Sequence, residues 1–285
     1  MKQALCVLLS LALLAALAAG CAAEPAAPSV EPTVAPAAPT EAPAAGPVEL
    51  VVFAAASMTE TLTRIAELYK AVAPNVTLVY TFDSSGTLKT QIEEGADCDL
   101  FISAAQKQMN QLDASKDAQS NPDGLDFVLQ GTRVDLLENK VALVVPEGNP
   151  ANIQSFQDIA NCQSIALGNG DVPVGQYSIE ILTSLGLLEG LEQGGKISYG
   201  SNVKEVTTQV SEATVDCGII YATDAFSAGL TVQDLATKDM CRQVIYPAAV
   251  LNVSKNPEAA QAFLDYLQTP EAMAVFEAVG FAPAA

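Results

Sequence analysis

The chain has no histidine and no tryptophan among its 285 residues, and only 13 lysines and arginines stand against 33 aspartates and glutamates. Without histidine, a Ser-His-Asp catalytic triad and histidine-containing zinc sites are excluded. The formal net charge of −20 disfavours nucleic acid and anionic lipid headgroups as partners. The same charge repels a dissolved anion at long range, so any anion that binds must be held by local dipoles.

The N-terminus has the pattern of a processed leader. Lys2 precedes an apolar run at 4–19, which ends in LAAGC with Cys21 last. We predict an export signal of the bacterial lipoprotein type at 1–20 and lipidation of Cys21; a plain signal peptide cut at a nearby small residue is the alternative. An Ala/Pro-rich linker, 21–48, follows, in which repeated prolines prevent helix or sheet. The protein should therefore lie outside the cytoplasm, in the bacterial cell envelope, anchored to the membrane by lipid.

Four further cysteines lie in the body of the chain, and export makes disulfides possible. Their even number permits two bridges, with three possible pairings that the sequence does not distinguish. Two of them precede predicted strands, SIALG and GIIYA, so parallel neighbouring strands could bring these two together. The spacings do not resemble a zinc site. The four residues are Cys98, Cys162, Cys217 and Cys241.

Predicted strands and helices alternate from residue 49 onward. The apolar strand LVVFAAA is followed by a helix, the strand VTLVYTF, a second helix and the strand DLFIS. This βαβαβ order predicts a parallel sheet with helices on both faces, whose ligand sites lie beyond the carboxyl ends of the strands. The apolar spacing predicts that the first helix buries one face, which comprises Met58, Leu62, Ile65, Tyr69 and Val72.

The same order restarts after the apolar run VALVVP, which we interpret as a strand crossing between two domains. With three strands the first domain is incomplete, so the chain should return to it after the second. We therefore predict an α/β protein with two lobes, each a parallel or mixed sheet flanked by helices, joined by two crossing segments. Domain 1 comprises 49–141 and 245–285, and domain 2 comprises 142–244.

Two predicted helix starts in the first domain carry serine. Ser57 and Glu60 match an S-x-x-E capping box, which would place the Ser57 hydroxyl among unpaired N–H groups at a positive helix end. Ser84 and Ser85 stand at the next helix start. Both positions follow strands, at the edge of the sheet where ligands bind.

Two helix starts in the second domain carry valine. Val174 follows a proline and Val203 follows Asn202, so each could donate only through its backbone N–H. Tyr221 adds a phenol at the end of a strand. We interpret all of these helix ends as free of positive charge, so together they would form a neutral set of donors across the cleft between the domains.

A set of hydrogen-bond donors without an acceptor suits a tetrahedral dianion. An acceptor would select a protonated oxyanion such as hydrogen phosphate, whereas donors alone select a fully ionised one. Each residue type also has an ordinary structural role, because serine often only caps a helix and valine or tyrosine often packs in the core. Their joint placement favours an oxyanion site formed by Ser57, Ser85, Val174, Val203 and Tyr221.

Several motifs resemble, in order and spacing, the periplasmic molybdate-binding proteins of ABC importers. They are VFAAASM, FDSSGTLKTQIEEGADCDLFISA, GNGDVPVGQYSIEIL, the SNV helix start, GIIYATDA, IYPAAV and VFEAVGF. The resemblance implies the type II periplasmic-binding-protein fold and a receptor that closes on molybdate or tungstate. It implies delivery to a membrane permease driven by a cytoplasmic ATPase. It also places the two ligand serines at Ser57 and Ser85, the two backbone amides at Val174 and Val203, and the tyrosine at Tyr221.

Two positions depart from the family pattern. Asp83 stands beside the second serine where a small residue is usual, and Val174 replaces a usual alanine. A carboxylate turned into the cleft would repel a dianion or accept a proton from phosphate, so Asp83 is a possible modulator of the ligand choice. We expect it to face away or to cap a turn.

We expect a monomer that is not an enzyme and has no cofactor beyond its ligand. A receptor of the same fold for sulfate, phosphate or a small organic anion is the first alternative. An exported enzyme and a surface scaffold are others, although no base beside Ser57 supports an enzyme.

Overall fold

The computed structural model describes residues 46–284. The predicted signal at 1–20, Cys21 and nearly all of the linker 21–48 lie outside the described residues. Within the described part of the chain, no helix is long and apolar enough to cross a membrane.

The strands of residues 46–284 form two mixed sheets. In chain order they are β1 (Val48–Ala55), β2 (Val76–Asp83), β3 (Leu100–Ile102), β4 (Val134–Asn139), β5 (Val141–Val145), β6 (Ile165–Gly168), β7 (Ile197–Gly200), β8 (Cys217–Tyr221), β9 (Thr231–Leu235), β10 (Val244–Val250) and β11 (Ala282–Pro283). The first sheet has the order β11-β4-β10-β3-β1-β2, and the second has the order β7-β6-β8-β5-β9. β1 pairs in parallel with β2 and β3, while β10 runs antiparallel to β3 and β4.

Helices cover these sheets and connect their strands. In chain order they are α1 (Thr59–Val72), α2 (Ser85–Glu93), α3 (Gln106–Asn110), α4 (Pro173–Ser184), α5 (Leu188–Gln193), α6 (Val203–Ser211), α7 (Ala222–Ala228), α8 (Pro257–Leu267) and α9 (Pro270–Glu277). Short 3-10 turns lie at Ala56–Met58 and Phe156–Asn161. We call the first sheet with α1, α2, α3, α8 and α9 the first lobe, and the second sheet with α4, α5, α6 and α7 the second lobe.

The chain passes between the lobes twice, between β4 and β5 and between β9 and β10. The predicted α/β class with two mixed sheets and two crossing segments is confirmed. One detail was wrong: VALVVP does not itself cross, because β5 pairs along its length with β8 and β9 of the second sheet. The change of sheet falls at Lys140, so Val141 belongs to the second sheet and Val244 to the first.

α1 shows why an amphipathic helix forms here. Its apolar residues recur every three or four positions, and Leu62, Ile65 and Tyr69 are buried against β-strands and α9. Val72 was predicted on the same face, but 58% of it is exposed. Val72 is the last residue of α1, and it lies beyond the surface that Leu62, Ile65 and Tyr69 cover.

The two lobes form one compact unit, and a single hydrophobic cluster runs from Leu50 in β1 to Ile219 in β8. Cys162 and Cys217 both belong to this cluster. Cys217 is the first residue of β8, and Cys162 precedes β6, with which β8 pairs in parallel. All four body cysteines are free thiols in the structure, so the possible bridge between these two is not present.

Phe263 of α8 offers a test of this packing. It is fully buried, and its ring lies 4.9 Å from the ring of Tyr69. We expect Phe263→Ala to lower the free energy of unfolding by about 3–5 kcal/mol, because lost burial and a cavity both contribute. Phe226→Ala is the matched control, since 63% of Phe226 is exposed. Urea titration should leave that control within about 0.5 kcal/mol of the parent; equal losses in both variants would contradict the assigned core.

Candidate functional site

The carboxyl ends of β1 and β2 in the first lobe and of β6, β7 and β8 in the second surround one small cavity. The space open to the centre of a water molecule is about 10 Å³, which is room for roughly one water-sized group with the lobes in this arrangement. Larger openings lie on the surface elsewhere, but this one is surrounded by helix starts. Its lining includes all five predicted site residues and Asp83: Ser57, Asp83, Ser85, Val174, Val203 and Tyr221.

Ser57 reaches the cavity by a different local structure from the one predicted. It lies inside the 3-10 turn Ala56–Met58, and α1 begins two residues later at Thr59. The capping box with Glu60 was therefore wrong, and no side chain caps α1. The Ser57 hydroxyl instead lies 2.9 Å from the Tyr246 phenol of β10, and the turn keeps Ser57 buried at the cavity wall.

Ser85 is the first residue of α2 and is completely buried. The capping function at this helix start belongs to Ser84, whose hydroxyl accepts a hydrogen bond from the Thr87 N–H at 3.1 Å. The Ser85 hydroxyl accepts the Ala104 N–H at 2.9 Å. Its own proton therefore remains available to a ligand in the cavity.

The second lobe contributes the starts of α4 and α6. Val174 is the second residue of α4, after Pro173, whose fixed φ suits the first turn of a helix. Val203 opens α6, where the Asn202 side chain accepts the N–H groups of Lys204 and Glu205. First-turn N–H groups have no acceptor within their own helix, so the backbone at Val174 and Val203 can donate into the cavity.

Two buried tyrosines join the lobes at the base of the site. The Tyr221 hydroxyl donates to the Ala104 carbonyl at 3.4 Å, from the second lobe to the first. Its ring centroid lies 5.8 Å from that of Tyr246, whose hydroxyl also accepts a hydrogen bond from Asn139 at 3.2 Å. Burial holds the pKa of each phenol well above its ordinary value, so both remain protonated donors.

The sequence prediction missed Tyr246. In the sequence, Tyr246 is only one tyrosine within the apolar run VIYPAAV, and a tyrosine in such a run most often packs in the core. Its contact with Ser57 spans 189 positions, so no local pattern indicates it.

Asp83 is the last residue of β2. One of its carboxylate oxygens accepts the Ser84 N–H at 2.7 Å and the Asn202 side-chain amide at 3.4 Å. The second bond links the two lobes. The Asp83 carboxylate therefore already has hydrogen-bond donors within the protein, although Asp83 still lines the cavity.

The expectation that all the helix starts lack positive charge was wrong at α6. Lys204 lies in its first turn, and its ammonium contacts both carboxylate oxygens of Glu60 at 2.9 and 2.8 Å. It also lies 3.1 Å from a carboxylate oxygen of Asp224. Burial alone would lower the pKa of Lys204, but the carboxylates of Asp224 and Glu60 raise it above its ordinary value. The cation is therefore neutralised by carboxylates from both lobes.

The lobes approach closely beside α2. A side-chain methyl at Gly86 would overlap the backbone carbonyl oxygen of Asp171, which lies in the loop before α4. Only a residue without a Cβ allows the lobes to lie this close here. The described residues also contain no cluster of histidine, cysteine and acidic side chains that could hold a metal ion.

A small cavity lined by hydrogen-bond donors and one carboxylate, between two mixed sheets that are joined by two crossings, is typical of a binding protein for a small solute. Comparison with known proteins identifies the class: the chain belongs to the bacterial extracellular solute-binding protein family, whose sequence model matches residues 50–282.

Curated relatives share about a third of their residues with this chain. The molybdate-binding protein ModA of Escherichia coli is 34% identical over 241 residues, covering 82% of this chain and 88% of ModA. ModA of Haemophilus influenzae is 32% identical, covering 82% of this chain and 89% of its own. Bacillus subtilis YvgL, provisionally named an ABC transporter substrate-binding lipoprotein, is 35% identical and covers 82% of this chain and 86% of YvgL. The resemblance to molybdate-binding proteins of ABC importers is thereby confirmed.

Solved structures share the fold. The Azotobacter vinelandii periplasmic molybdate-binding protein superposes with a TM-score of 0.71 at 22% identity, covering 83% of this chain and all of that one. The sulfate-binding protein SubI of Mycobacterium tuberculosis gives a TM-score of 0.66 at 17% identity, covering 83% and 87%. The two-lobed fold is therefore common to proteins named for different oxyanions, and the fold alone does not select the ligand.

Asp224 makes the stability of this region depend on pH. Its carboxylate is completely buried, so burial, partly offset by Lys204, raises its pKa from the ordinary 3.8 to about 6. An acid whose pKa rises on folding stabilises the fold when protonated, and this contribution is lost as the pH rises from about 4 through 6.

We therefore expect Asp224→Asn, which has no proton to lose, to gain stability relative to the parent as the pH rises. The difference in unfolding free energy should change by up to about 3 kcal/mol between pH 4 and pH 7. Urea titrations at pH 4, 5, 6 and 7 measure it. Parallel pH profiles for the two proteins would show that Asp224 does not titrate in this range.

Proposed function

We propose that this protein is an extracytoplasmic solute-binding lipoprotein that captures molybdate or tungstate between its lobes and delivers it to an ABC importer. The observation that supports the proposal is that Ser57, Ser85, Val174, Val203 and Tyr221 all line one small cavity, the serines and the tyrosine being buried. Relatives named for molybdate binding support the same ligand. The protein is a receptor in this proposal and catalyses no reaction.

The site is electrostatically suited to an anion despite the acidic surface. Backbone N–H groups at helix starts carry partial positive charge and need no counter-ion. The predicted ligands are Ser57, Ser85, Val174, Val203 and Tyr221. Ser57 and Ser85 can present hydroxyl protons, the two valines present N–H groups, and Tyr221 could turn its proton from the Ala104 carbonyl to a ligand. The set therefore favours an oxyanion with no proton of its own.

Asp83 is the proposed modulator of that preference. Its carboxylate already accepts two hydrogen bonds from protein groups, one of them from the second lobe. A receptor for sulfate or phosphate is the second candidate, because the fold, which SubI shares, does not select between oxyanions.

The proposed delivery route follows from the class of protein. A substrate-binding component needs a membrane permease and an ATPase as partners, and we propose that the receptor acts as a monomer that docks on the permease. Lipidation at Cys21 would hold it at the membrane through the Ala/Pro-rich linker. The provisional lipoprotein name of YvgL supports this anchor.

A thermal melt with oxyanions tests the ligand. At one hundred times its dissociation constant a ligand adds about 2.7 kcal/mol of stability, which for a body of this size raises the midpoint by roughly 5–10 °C. We expect this shift with molybdate and tungstate and almost none with phosphate or sulfate. A rise in melting temperature with phosphate or sulfate alone would show that the ligand is one of those anions and not molybdate or tungstate.

Gly86→Ala tests capture between the lobes. The added methyl overlaps the Asp171 carbonyl oxygen in the closed arrangement, so we expect weaker molybdate binding, about tenfold or more, with little change in the unliganded melting temperature. Gly170→Ala is the matched control, because a methyl there meets no atom within 4 Å. Calorimetric titration measures both variants. Equal affinities in the two would indicate that the ligand does not require this approach of the lobes.

A further inference from the structure

Lys204 connects three charged groups at the junction of the lobes. We call Glu60, Lys204 and Asp224 the Lys204 triad. Lys204 and Asp224 belong to the second lobe, on α6 and α7, whereas Glu60 belongs to the first, on α1. The ammonium lies 2.8 Å from Glu60 and 3.1 Å from Asp224. None of these residues is among the five proposed ligands, yet Lys204 directly follows Val203.

The two carboxylates differ in burial and therefore in role. The Asp224 side chain is completely buried. Lys204 supplies its charge partner from within the same lobe, so this contact does not depend on lobe closure. The Glu60 side chain is 51% exposed and belongs to the other lobe, so its contact with Lys204 exists only while the lobes are together.

We propose that Lys204 is a positioning residue that prolongs the closed state: Asp224 fixes its ammonium in the second lobe, and Glu60 binds that ammonium when the first lobe closes over the solute. The inference rests on the proposed function for the identity of the solute. It goes beyond the proposed function because it assigns a role to charged residues that do not touch the ligand.

The position of the triad determines which rate it affects. The Glu60 contact forms after the solute has entered and the lobes have met, so it stabilises the closed complex without speeding the first encounter. Its loss should therefore appear in the rate of solute release. A partly exposed ion pair has a modest effect, and added salt weakens it.

The test compares two glutamates on the same helix. Glu67 of α1 pairs with Lys70 of its own helix at 2.6 Å and has no contact with the second lobe. Glu60→Gln and Glu67→Gln remove the same charge from an acidic surface, so they change long-range repulsion of an anion alike. Only the first removes the contact between lobes.

We expect Glu60→Gln to release molybdate about two- to fivefold faster than the parent, whereas Glu67→Gln should differ by less than about 1.5-fold. Competition stopped-flow with excess tungstate measures release, and the melting temperature of each unliganded variant confirms that it is folded. Raising the salt concentration should reduce the difference between parent and Glu60→Gln. Equal release rates for Glu60→Gln and Glu67→Gln would overturn the proposal.

Lys204→Arg and Lys204→Gln provide a second test. Arginine keeps the charge and should retain slow release, whereas glutamine should match Glu60→Gln. The double variant Glu60→Gln/Lys204→Gln should then release no faster than either single variant; additive effects would contradict the pairing. If the parent binds neither molybdate nor tungstate, the proposed function fails; if it binds them and the variants are alike, only the role of Lys204 fails.

Discussion

The structure depends on one electrostatic constraint: an acidic chain can hold an anion only where local dipoles outweigh its overall charge. Helix starts meet this constraint because their first N–H groups lack partners within the helix. Each sheet brings such starts to the carboxyl ends of its parallel strands. Two sheets with these edges facing one another then place donors on opposite sides of a single small cavity, lined by Ser57 and Ser85 on one side and Val174 and Val203 on the other.

The elements that could be predicted from the sequence are those with local causes. Alternating apolar strands and amphipathic helices indicated the two-sheet architecture, and small or polar residues after the strands indicated the helix starts. The errors arose where tertiary contacts decide. Ser57 looked like a cap, but a 3-10 turn moves the start of α1 to Thr59 and directs the hydroxyl to Tyr246. That partner lies on β10, far along the chain, so no spacing rule could indicate it.

The partners of charged residues were likewise not predictable from the sequence. In the sequence, Lys204 is one basic residue beside an acidic neighbour, and nothing local distinguishes it from a solvated side chain. In the structure it lies between a buried carboxylate of its own lobe and a carboxylate of the other. Lys204 can therefore stand at a helix start beside the cavity because its charge has carboxylate partners in both lobes.

The return of the chain to the first sheet has a consequence for folding order. β10 lies between β3 and β4, so that sheet stays divided until a strand from the far end of the polypeptide enters its middle. The second sheet, by contrast, uses one uninterrupted stretch and closes fewer long loops. Because distant pairings form slowly, the second sheet should form first. The first sheet, which contains β1, should remain incomplete until synthesis of the chain is nearly finished. Such a delay suits a polypeptide that is threaded through a membrane before it folds.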